Sequence, residues 1–137
     1  MRRVRRGLRR DARGASAVEF ALAVPILLGF VLGIAQLGLL FFAEADLRNA
    51  VAAGARHASI YPRPADEAVI ARISAKVAGL KPERIEGPNI VHGVDGDGRD
   101  YADIEMGYEM PLNFLLFETP PVPLREVRRV YTQPEAE

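Results

Sequence analysis

The chain has no cysteine, no tryptophan and two histidines in 137 residues. Without thiols it has no disulfide, no thiolate nucleophile and no cysteine-based zinc site. His57 and His92 lie far apart in sequence, which argues against a histidine-rich metal centre. His57 reads as a polar residue at a helix end. No phosphate-binding glycine loop, nucleophile–base pair or framed pair of acids occurs, so the reading is non-enzymatic, with no cofactor and no metal. Charge is also missing locally: Phe20 to Ala43 carry none.

The formal net charge is zero, which by itself excludes a strongly basic nucleic-acid binder. That zero is a cancellation. Residues 1–14 hold seven arginines and one aspartate, whereas residues 44–137 hold 11 basic and 16 acidic side chains. A basic end, an apolar middle and an acidic remainder describe a membrane-anchored protein with room for one small domain.

The apolar run FALAVPILLGFVLGIAQLGLLFFA occupies residues 20–43, and Gln36 is its one side chain with strong hydrogen-bonding demand. At 1.5 Å per residue it extends roughly 36 Å, against a hydrocarbon core of about 30 Å. The rest of the chain is too short to wrap so long an all-round apolar helix. The adjacent arginines are expected to stay cytoplasmic, so the N-terminus lies inside and residues 44–137 outside. They read as a retention signal and not as a nucleic-acid arm. A signal-type cut at Ala43-Glu44-Ala45 is the alternative that would release a small secreted protein.

Two residues do not suit a plain anchor. Glu19 places a carboxylate at the start of the span, where an acid is costly and a functional candidate by default. Pro25 removes a helix hydrogen bond and is expected to kink or loosen the helix. Gly29 and Gly33 form a small-xxx-small pair that allows two helices to approach closely in lipid. Gln36 is a candidate for a bond across that same contact.

Taken together, Arg13-Gly14-Ala15-Ser16-Ala17-Val18-Glu19-Phe20 and the proline-containing run behind it resemble the N-terminus of the TadE-like family. These are pseudopilins or minor pilins of the tight-adherence (Flp-type) pilus. The resemblance continues through Gly33–Gly38 and Asn49–Arg56. It implies cleavage of Gly14–Ala15 by a prepilin peptidase. The cut would strip the arginines and create a free α-amine on Ala15, with Glu19 fifth after it. The resemblance further implies that Glu19, with Phe20 and Pro25 behind it, meets the amine of a neighbouring subunit. Phe20 stands where major Flp pilins typically have tyrosine. The implied partners are the prepilin peptidase, other pilins and pseudopilins, the pilus assembly platform and membrane lipid, with no nucleic acid. The implied place is the inner membrane, single-pass, or the pilus itself. An unprocessed single-span anchor with an extracytoplasmic binding domain remains the other membrane reading.

The expected fold class is α+β and pilin-like: a leader at 1–14, a long N-terminal helix within 15–61, and a small extracytoplasmic head at 62–137. Leu47, Ala50, Val51, Gly54, Ala55 and Ala58 recur at helical spacing, so the helix should run from Ser16 to Ser59 and stop before Pro62 and Pro64. A second amphipathic helix is expected over Asp66–Leu80, with acids in its first turn. Strands are expected at Arg84–His92, broken by Gly87-Pro88, at Tyr101–Met110, where apolar and polar residues alternate, and at Leu124–Thr132 after a Pro120–Pro123 turn. The two Asp-Gly pairs at 95–98 suit a hairpin. Asp95, Asp97, Asp100, Asp103 and Glu105 invite a calcium reading, but the EF-hand spacing fails, and a solvated acidic hairpin is the expectation. Phe114-Leu115-Leu116-Phe117 is expected in the core, with membrane or partner contact as the alternatives.

Overall fold

The computed structural model describes residues 12–77, 79–114 and 119–132. The first eleven residues of the arginine-rich leader, and residues 115–117 of the Phe114–Phe117 run, lie outside them. The described elements are helices α1 (Ala12–Ala58) and α2 (Asp66–Ser74), a short 3-10 turn at Pro82–Arg84, and strands β1 (Ile85–Val94), β2 (Asp100–Met110) and β3 (Val122–Tyr131). The strands form one antiparallel sheet in the order β1-β2-β3. This is the expected α+β arrangement.

The 47 residues of α1 make a rod of about 70 Å. The helix starts at Ala12, before the expected Ser16, so the Gly14–Ala15 bond lies within it. It also continues through Pro25 without interruption. Proline still removes one intrahelical bond, the one that would end on the Ala21 carbonyl. Arg56 and His57 fill the last turn, where positive charge meets the helix dipole favourably.

Only the second half of α1 is covered by protein. Leu47, Ala50, Val51, Gly54, Ala55 and Ala58 are buried, the stripe that helical spacing marks. Small side chains there let α2 come close. A Cβ on Gly54 would overlap the Ile73 side chain, so glycine sets the distance between the helices. Val69, Ile73, Ile104 and Met106 complete the centre of the core.

Strand β2 is the middle strand because its alternation is clean. Ala102, Ile104, Met106, Tyr108 and Met110 are buried against the helices, while Asp103, Glu105 and Glu109 point away. Ile85 and Ile90 from β1, and Leu124 and Val130 from β3, pack on the margins of this core.

Three boundaries differ from the sequence reading. α2 ends at Ser74, and the chain continues through tight turns (Lys76 N–H to Ile73 carbonyl, 2.9 Å) that still bury Val77 and Leu80. The turns bring Gly79 so close to α1 that a Cβ would collide with Asp46; a straight helix to Leu80 would carry the chain past that contact. In β1, Gly87-Pro88 shifts the register between Glu86 and Asn89 without ending the strand, and Gly87 adopts φ +87°. β3 begins at Val122, and Pro123 pairs with Glu109 inside it. An edge strand tolerates proline because one row of its N–H groups needs no partner.

Candidate functional site

The uncovered half of α1 is the first part of the site. Phe20 is 70% exposed and Phe42 72% exposed, and Ile26, Phe30, Ile34 and Phe41 are exposed between them. The helix is long and apolar enough to cross a membrane. Such a surface is stable only in lipid or against another apolar helix. Glu19 is exposed on this rod and has no ion-pair partner among the described residues. Gly14, Ala15, Glu19, Phe20, Pro25, Gly29, Gly33 and Gln36 are all carried by α1, so one rigid element fixes their spacing. Gly14 and Gly29 face open space.

Gly33 and Gln36 are engaged within the chain. The ring of Phe114 lies 3.9 Å from where a Gly33 Cβ would stand. The Gln36 side-chain N–H donates to the Asn113 carbonyl at 2.9 Å. Both contacts come from the β2–β3 connection, which reaches down α1 below the head. The Leu112 carbonyl accepts from the Thr119 backbone N–H at 3.5 Å and from its hydroxyl at 3.3 Å. Leu112 itself packs on the core. Phe114 is half-buried against α1 and is not part of the buried core. Above this contact a cleft of about 330 Å³ opens, with Leu39 and Phe42 on one side and Asp46, Lys81 and Arg84 around it.

The head carries two polar clusters. Asp66 Oδ2 lies 2.8 Å from the His92 ring, and the Arg63 guanidinium lies 2.9 Å and 3.0 Å from its two ring nitrogens. This cluster escapes sequence reading because its members come from a loop, a helix start and a strand. On the outer sheet face Arg129 forks onto both Asp103 oxygens at 2.8 Å and 2.6 Å and stacks over Tyr101 at 3.8 Å. Arg125 pairs with Glu105 beside it. The hydrogen bonds from Arg129 hold the Asp103 carboxyl below the usual carboxylate range, and Asp103 in turn raises the Arg129 guanidinium.

The acidic hairpin is organised by arginine. Asp95 Oδ1 accepts the backbone N–H groups of Arg99 (2.9 Å) and Asp97 (3.0 Å), and Arg99 spans both carboxylates. The Arg99 backbone bond is the main reason the Asp95 carboxyl titrates low. Asp95, Asp97, Asp103 and Glu105 are therefore committed to cationic side chains, and the described residues contain no cluster of three or more ligands placed for a metal.

A family model described as TadE-like protein matches residues 14–56. This segment is similar to the TadE-like family. No curated protein and no solved structure matches the chain. The TadE-like segment lies wholly within α1, starting at the glycine of the candidate cut and ending at Arg56 in the last helical turn. The α2 and sheet region stands outside the match.

Proposed function

We propose that the chain is a pseudopilin or minor pilin of a tight-adherence pilus. In this reading a prepilin peptidase cuts Gly14–Ala15 on the cytoplasmic side, the head faces outward, and the mature chain takes part in pilus assembly. The observation that carries the reading is the TadE-like match beginning at Gly14, with Glu19 exposed on the same helix. Removing the leader takes away the arginines that hold the end in the cytoplasm. It leaves the Ala15 amine four residues from a carboxylate that lacks a cationic partner among the described residues. An ammonium from a neighbouring subunit neutralises such an acid in an apolar bundle, and an unpaired carboxylate there is costly. Other pilins, pseudopilins and the inner-membrane assembly platform are the partners this chemistry requires.

N-terminal sequencing of the chain from piliated cells tests the reading. The expected first residue is Ala15; Met1 would mean an unprocessed anchor, and Asp46 a secreted protein. Gly14→Leu should leave the precursor uncut in the membrane. Glu19→Ala should be cut normally yet fail to assemble, and normal piliation in that strain would remove the amine–carboxylate pairing from the mechanism.

A further inference from the structure

We propose that the β2–β3 connection at Phe114 inserts into the hydrocarbon of the bilayer beside α1, so that the head is held in the membrane at two points. The proposal rests on the reading that α1 spans a membrane.

Depth along α1 is the first argument. A hydrocarbon layer of about 30 Å that begins at Ala15 uses about twenty residues and ends near Gln36. A layer that instead ends at Glu44, the first charge beyond the run, puts Gly33 about 16 Å below its surface. Phe114 touches α1 at Gly33, so either boundary places its ring below the membrane surface.

Backbone chemistry is the second argument. Non-helical backbone is tolerated at membrane depth only where its polar groups are satisfied by protein. The Leu112 carbonyl takes two bonds from Thr119, and the Asn113 carbonyl takes the Gln36 amide. Those bonds meet that requirement at the two carbonyls just before Phe114, and they occupy the one strongly polar side chain of the apolar run. The sequence itself is the third argument: Met110 to Phe114 carry no charge. Ile34, Leu37 and Phe41 of α1 are exposed around the same level, so Phe114 extends an apolar surface that lipid already covers in this reading. Hydrocarbon is thus the occupant, and not the helix of a second copy.

The cysteine-free chain allows a direct test. Single cysteines at Phe114, Leu28 and Gly96 are introduced into the full chain. Each variant is reconstituted at low protein density in vesicles of phosphatidylethanolamine and phosphatidylglycerol. Labelling by a membrane-impermeant maleimide is then timed. A thiol in apolar surroundings stays protonated and reacts slowly, so Phe114→Cys and Leu28→Cys should label at least about tenfold slower than Gly96→Cys. Fast labelling at Leu28 would remove the spanning reading. Slow labelling at Leu28 with fast labelling at Phe114 would remove the insertion alone. Protection at Phe114 that appears only at high protein density would assign the surface to a second copy and overturn the proposal. Asn113→Cys keeps the backbone carbonyl that Gln36 holds and guards against a loosened loop: an NBD fluorophore on it should be quenched by nitroxide-labelled lipid, and lack of quenching counts against insertion.

Discussion

The Gln36 amide and the Asn113 carbonyl meet at 2.9 Å across 77 residues of sequence. The bond ties the apolar rod to the loop that leaves the central strand. Gln36→Leu leaves that carbonyl without its donor, at a point within the apolar run of α1. The expected cost is about 1–3 kcal/mol, read as a lower denaturant midpoint in detergent micelles together with faster proteolysis of the β2–β3 connection. Unchanged values in both measurements would mean that the tie contributes nothing.

At Gly54, α1 lies so close to α2 that a Cβ would overlap the Ile73 side chain. Gly54→Val should destabilise the head by about 1–3 kcal/mol through overpacking. Adding Ile73→Ala should recover part of that loss, because the two sites share one volume. A strictly additive double mutant would place the strain elsewhere.

Ile104 is fully buried in the middle strand, whereas Val127 on the outer sheet face is half exposed. Ile104→Ala is expected to cost about 2–5 kcal/mol. Val127→Ala should stay within about 0.5 kcal/mol. Equal effects would contradict the assignment of the two sheet faces.

The Asp103–Arg129 pair has a defined pH sign. The folded carboxyl titrates below the ordinary aspartate value of 3.8. Its contribution to stability is therefore present above that value and is lost as the pH falls through the lower folded one. Both side chains are solvated, so the effect is small. Asp103→Asn should lower the neutral plateau slightly and flatten the acid limb of a stability–pH curve below pH 3.8 by the same small amount. A mutant whose acid limb is as steep as that of the parent chain would show that the pair is not the cause.

The rod and the central strand were legible because a single period governs each. Six apolar or small positions at helical spacing marked the covered stripe of α1, and strict alternation marked β2. The end of α2 was misread because the apolar spacing runs on to Leu80 while the backbone turns early to bring Gly79 against Asp46. Pro120–Pro123 read as a turn, yet Val122 and Pro123 pair with β2 at an edge where proline costs little. Gly33 and Gln36 read as contacts to a neighbouring helix, and the structure places both against their own β2–β3 connection. No local pattern announces a bond between residues so far apart, nor the meeting of Arg63, Asp66 and His92.

The unbroken passage of α1 from its bare half into the head has a mechanical meaning. No hinge separates the two, so a tilt imposed at one end reaches the other undiminished, as in a lever with a single arm. A load borne by the sheet would be felt directly along the bare half of the rod.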